Sequence, residues 1–141
     1  MPPVDFRLLV VTDRHQTNGR PLLPLLQRVL SAAAPAIQLR ERDLSARELL
    51  ILAREVQSVT APARSQLLIN DRIDVALALD GVGVHLRSNS LPVPVARELL
   101  GAQRLLGISV HTVEEGLLAQ SQGADYIVLG PIYETPSKQI F

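Results

Sequence analysis

The sequence predicts an α/β protein of about six βα units, and three observations carry that prediction. Short Val/Ile/Leu-rich runs alternate with longer segments of helical periodicity. The apolar runs lack a clean polar/apolar alternation, as expected of strands covered on both faces in a parallel sheet. No linker, low-complexity segment or charge block divides the 141 residues, a length that suits one domain with a core of its own.

The elements follow in order. "FRLLVVT" reads as the first strand, and "LLPLLQRVLSAAA", bounded by Pro21 and Pro35, as the first helix. Pro24 must lie in that helix's first turn, because an interior proline costs about 3 kcal/mol. "AIQLR" is the second strand. The next helix, "SARELLILAREVQSV", opens with a capping box from Ser45 to Glu48 and sets Leu49, Leu52, Ala53 and Val56 on one stripe. "QLLIN" is followed by a short helix in "DRIDVALALD", for which Asp71 is a candidate cap. "VGVHL" precedes "LPVPVARELLG", whose Gly101 is a C-terminal cap. "RLLGISV" precedes "TVEEGLLAQSQG", with a second capping box from Thr112 to Glu115 and a stop at Gly123; "DYIVLG" is the sixth strand. Six right-handed units fit either a doubly wound sheet or three quarters of a (β/α)8 barrel. No strand is followed by G-x-G-x-x-G, which weakens dinucleotide binding.

Composition removes several classes of function. Fourteen basic residues balance fourteen acidic ones, so nothing supports nucleic-acid binding by counterion release. Aromatic residues make up 3% of the chain, too few for base-stacking platforms. The absence of cysteine removes disulfides, thiolate catalysis and Cys-ligated metals and accords with a reducing cytosol. The first apolar run is interrupted by Asp5 and Arg7 and is too short for a signal sequence or membrane span. The expectation is a cytoplasmic protein with no membrane partner.

In either architecture ligands bind beyond the carboxyl ends of parallel strands, and all six predicted ends are polar. They carry Thr12 to His15, Gln38 to Asp43, Asn70 to Arg72, His85 to Ser90, Ser109 to His111, and Thr135, Ser137 and Lys138 after a Gly130-Pro131 turn. Arg40 and Arg42, read as alternating on one strand, either clamp a phosphate together or pair with nearby carboxylates. Asp71 is either a helix cap or a magnesium ligand. His111 is either a surface residue beside its capping box or a proton carrier. His85, inside an apolar strand, reads as a hydrogen-bonded core residue, and His15 as a loop residue. The histidine spacings indicate no zinc or iron site. Ser109 lacks the context of a hydrolase nucleophile.

Taken together, "VVTDRH", "QLRERDLS", "LLINDRIDVALALDGVGVHL", "LLGISVHTVEE" and "GADYIVLGPIYETPSK" resemble, in order and spacing, the motifs of the thiamine phosphate synthase family and its relative, thiazole tautomerase. The resemblance runs from the first strand to Lys138. It implies a (β/α)8 barrel in thiamine biosynthesis. The family's synthases join hydroxymethylpyrimidine diphosphate to thiazole phosphate and release pyrophosphate, using magnesium. By that resemblance Gln38, Arg40, Arg42 and Asn70 bind the pyrimidine diphosphate, Asp71 holds magnesium and Ser109 approaches the pyrimidine. Thr135 and Ser137 receive the thiazole phosphate, and Lys138 neutralises the departing pyrophosphate.

Three departures qualify the resemblance. Arg42 stands where the synthase pattern has lysine, exchanging a point charge for a planar fork. Ser90 replaces the aspartate of H-L-G-Q-x-D, the second magnesium carboxylate, which puts the metal in doubt. Both features resemble the tautomerase branch, in which a histidine at the His111 position moves protons. Asn70 and Asp71 are synthase features, and the expected activity is the synthase's, the commoner branch, with the tautomerase as the alternative. The third departure is the ending, since the family pattern continues into two more βα units after the lysine. The expectation is a barrel truncated after six units, with its outer strand edges open to self-association and weak activity alone. A non-catalytic phosphate-binding remnant is the rival from another functional class.

Overall fold

The computed structural model describes residues 3–135. Six strands form one sheet: β1 (Leu9–Val11), β2 (Ala36–Leu39), β3 (Leu67–Asn70), β4 (Gly83–Leu86), β5 (Leu106–Val110) and β6 (Tyr126–Leu129). Five helices lie between them: α1 (Leu22–Ala32), α2 (Ala46–Thr60), α3 (Ile73–Leu77), α4 (Val93–Leu100) and α5 (Val113–Ser121). Every strand pairs in parallel with its sequence neighbours, in the order β1-β2-β3-β4-β5-β6. That order decides between the two predicted topologies. A doubly wound sheet reverses its strand order at a switch point, whereas a (β/α)8 barrel adds each strand on the same side. The described residues form six consecutive units of a (β/α)8-type barrel.

The core is divided by the two faces of this curled sheet. On the outer face Ile37, Leu39, Ile69, Val84 and Leu86 pack against Leu49, Ala53 and Val56 of α2 and Val93 and Ala96 of α4. The inner face holds a smaller cluster of Ala36, Leu68 and Leu105, packed with Phe6, Leu9 and Tyr126. At the amino ends of the strands Arg104 donates to the carbonyls of Ala76, Leu79 and Val82 at 2.7, 2.7 and 3.0 Å. Arg97 pairs there with the buried Asp125 carboxylate at 2.7 Å. Two cations are thereby spent on closing that end of the structure.

Several expectations change. Coverage of both faces holds for β2, β3 and β4, buried along their whole length, but not for β1 and β6. Those strands have one neighbour each among the described residues, and Val11, Ile127 and Leu129 are exposed. The cap of α3 is Arg72, without a side-chain bond, and not Asp71. Asp71 sits in the left-handed region at φ 64°, and its carboxylate accepts from Arg87 and Ser90 rather than from the first turn of the helix. The α2 capping box forms in both directions. At α5 only Thr112 caps, accepting the Glu115 N–H at 3.1 Å; the Glu115 carboxylate instead accepts the His111 N–H at 2.6 Å. His15 lies in a 3-10 turn (Arg14–Gln16) rather than an open loop.

Candidate functional site

Side-chain alternation along the strands sends Gln38, Asn70, His85, Ser109 and Tyr126 to the inner face. Strand register sets their heights: Asn70 lies beside His85, His85 beside Gly107, and Gly107 beside Tyr126. Gln38 and Asn70 are 4% and 7% exposed, yet neither side-chain amide has a hydrogen-bond partner among the described residues. The amide atoms themselves are not fully enclosed, and on neighbouring strand ends they offer donors and acceptors to a ligand.

Across the inner face His85 joins two hydroxyls. Its Nδ1 lies 2.9 Å from the Tyr126 hydroxyl and its Nε2 2.8 Å from Ser109 Oγ. Burial lowers the His85 pKa to about 4, so the ring is neutral at physiological pH. A neutral imidazole has one donor and one acceptor, so one hydroxyl donates to the ring and the other accepts from it. Burial, and then the Asp125 charge, raises the Tyr126 pKa and keeps that hydroxyl protonated. Gly107 makes the contact possible, because a Cβ there would fall 2.1 Å from the Tyr126 ring. His85 thereby fixes the position of Ser109.

At the mouth, Arg42, Asn70, Asp71, Arg72 and Arg87 line a cleft of about 290 Å³. Asp71 accepts from Arg87 Nη2 at 3.2 Å and from the Ser90 hydroxyl. Ser90 Oγ in turn accepts the Arg87 N–H at 2.8 Å. It therefore serves this loop rather than capping α4, whose cap is Pro92. The Arg87 Nε is buried and has no partner among the described residues.

The expected pairing of Arg40 and Arg42 also changes. The strand ends at Leu39 and Arg42 lies in the following turn, so strand alternation is not what relates the two arginines. The buried Glu41 carboxylate accepts from the Arg14 N–H at 2.9 Å and from Arg14 Nη1 at 3.0 Å. Arg14 also grips Asp43 at 2.8 and 2.6 Å, and His15 Nε2 lies 3.0 Å from the same carboxylate. These contacts hold the Asp43 pKa well below the usual carboxylate range. Arg14 thus takes the two carboxylates nearest Arg40 and Arg42 in sequence, and neither of those arginines has an ion-pair partner among the described residues. The Arg40 pKa is lowered first by burial, then by the positive charges of Arg42 and Arg87. Arg42 and Arg87 line the cleft and act on Arg40 as like charges, a repulsion that a bound anion would relieve.

The sequence matches the family described as thiamine monophosphate synthase over residues 8–140. The chain belongs to the thiamine monophosphate synthase family. It is 43% identical over 138 residues to a thiamine-phosphate synthase of Moorella thermoacetica, with 98% of this chain and 65% of that protein covered. It is 40% identical over 136 residues to one of Clostridium novyi, covering 96% of this chain and 67% of that protein. A protein of Geobacter sulfurreducens is 49% identical over 141 residues, 66% of its length. The solved structure of a thiamine phosphate pyrophosphorylase from Pyrococcus furiosus superposes with a TM-score of 0.83 at 33% identity, covering 92% of this chain and 62% of that one. The chain thus spans about two thirds of the length of these relatives.

Within this family frame, the structure brings Gln38, Arg40, Arg42, Asn70, Asp71 and Ser109 to the carboxyl end of the sheet. His111 follows β5 at the same end, with Nδ1 3.6 Å from Glu115. Thr135 lies past the Gly130–Pro131 turn, while Ser137 and Lys138 fall outside the described residues. Sequence reasoning missed Glu41 with Arg14, and Tyr126. The inward phase of β6 was the available signal for Tyr126; nothing local marks Glu41, because its partner lies 27 residues away. A magnesium ion asks for several hard oxygen ligands, usually including one or two carboxylates. No three His, Asp or Glu side chains gather suitably among the described residues. Asp71 already serves a hydroxyl and a guanidinium, and Ser90 adds no charge. These side chains do not fit a magnesium site.

Proposed function

We propose that the chain acts as a thiamine phosphate synthase, coupling hydroxymethylpyrimidine diphosphate to thiazole phosphate with release of pyrophosphate. The observation that carries this reading is the pair of largely buried residues Gln38 and Asn70, whose amides make no hydrogen bond to the described residues, with Asn70 in the cleft that Arg42 and Arg87 line. It supplies polar recognition for a heterocycle and positive charge for its diphosphate. In the reaction the carbon–oxygen bond to the diphosphate breaks, with its electron pair leaving on pyrophosphate. The pyrimidine carries the resulting cation until the thiazole nitrogen donates its lone pair to form the new carbon–nitrogen bond.

The protein's part is positioning and stabilisation of negative charge as it develops. In this reading Gln38 and Asn70 hold the pyrimidine, Ser109, set by His85, contacts it, and Arg40 and Arg42 bind the diphosphate. Thr135 and Ser137 receive the thiazole phosphate and Lys138 meets the departing pyrophosphate. A cytoplasmic location and self-association through the β1 and β6 edges belong to the same proposal. The tautomerase alternative is not favoured, because the named relatives are synthases.

Incubating the folded chain with both substrates and measuring thiamine phosphate tests this. Slow but protein-dependent product formation is expected. Gln38→Ala and Asn70→Ala should each lower kcat/KM about tenfold, the loss of one hydrogen bond to the substrate. Absence of product from folded protein would defeat the synthase reading.

A further inference from the structure

We infer that the Arg87 guanidinium takes the place of a divalent ion beside Asp71, so that the cleft binds a diphosphate with protein cations and without a metal. The inference rests on the diphosphate reading above and adds how the charge is neutralised.

A carboxylate site attracts a metal when its oxygens are free and its surroundings are negative. Here one Asp71 oxygen accepts from Ser90 and the other from Arg87. A divalent ion at this carboxylate would have to displace a donor and stand beside a fixed positive charge. The neighbouring negative charges are already matched: Glu41 by Arg14, and Asp74 by Arg72 at 2.6 Å. Arg42, which lines the same cleft, has no such partner among the described residues.

Arg87 has donors to spare. A guanidinium presents five N–H groups in a rigid fork. Only Nη2 is engaged by a side chain, and the buried Nε has no partner among the described residues. Asp71 can therefore hold one edge of the fork while another donor turns to phosphate oxygens. The adjacent Asn70 amide, also without a partner among the described residues, is placed for the pyrimidine that carries the diphosphate. Aspartate and serine thus orient the arginine, and the arginine carries the positive charge.

Isothermal titration calorimetry of the full chain with inorganic pyrophosphate, in EDTA and in magnesium buffer, tests this. Equal affinity in the two buffers is expected. Arg87→Ala should weaken binding about tenfold or more, the loss of a charge-assisted contact. Arg87→Lys should recover only part of it, and circular dichroism checks that each variant is folded. Arg42→Ala, on a separate turn, should weaken binding independently. Magnesium alone should give no binding heat with the unmodified chain, and the double variant Arg87→Ala/Ser90→Asp should acquire it. Pyrophosphate binding that requires magnesium would overturn the inference and leave the proposed reaction standing. Binding in neither buffer would overturn the inference and the diphosphate part of the proposed function together.

Discussion

His85 shows how a single buried side chain couples the site to stability. Burial lowers its pKa to about 4, against about 6.5 in an unfolded chain. Protonation therefore favours the unfolded state. The stabilisation is fully present above about pH 6.5, declines as the pH falls and is gone below about pH 4. Its size is about 3 kcal/mol. Asp43 and Asp74, whose pKa values are lowered by Arg14 and Arg72 respectively, lose their contributions only in more acid solution, which leaves the upper window to His85. Urea denaturation between pH 7.5 and 4.5 should show stability falling across it, and His85→Gln should flatten that fall. An unchanged slope in the variant would remove His85 as the cause. The same ring fixes Ser109, so one residue serves both packing and positioning.

Helix caps and strand ends decide where the functional side chains emerge. The α2 capping box follows directly on the turn bearing Arg42, with Ser45 accepting the Glu48 N–H at 3.3 Å and the Glu48 carboxylate accepting the Ser45 N–H at 2.8 Å. Ser45→Ala should destabilise the protein by about 1 kcal/mol, read as a lowered urea midpoint with the slope unchanged. The corresponding Thr112 and Glu115 pattern does not close in the same way, because Glu115 takes the N–H of His111. Sequence spacing identified both helix starts. It could not identify which N–H each carboxylate would meet, since that depends on the path of the preceding strand.

For the molecule as a whole, the sheet advances in one direction without closing on itself among the described residues. The unpaired edges of β1 and β6 offer backbone donors and acceptors to another chain. Beside the latter lies an apolar groove of about 400 Å³, lined by Val113, Leu117, Ile127 and Leu129. In the proposed self-association these edges and this groove are buried between copies. Sedimentation velocity should give a mass that rises with concentration, and Ile127→Lys with Leu129→Lys should shift it back toward the monomer. A concentration-independent monomer mass would exclude that arrangement.

The sequence by itself determined the six strands, the five helices, the polar carboxyl rim and the family, because hydrophobic periodicity, capping residues and motif order are local properties of the chain. Only the tertiary structure decided that the strands add in one direction, that Arg14 takes Glu41 from Arg40 and Arg42, that Arg87 and Ser90 occupy Asp71, and that Tyr126 meets His85 across Gly107. The physical reason is that ion pairing and burial depend on distance in space. Residues 16 to 41 positions apart make those contacts, and no local pattern records which partner a charge will find.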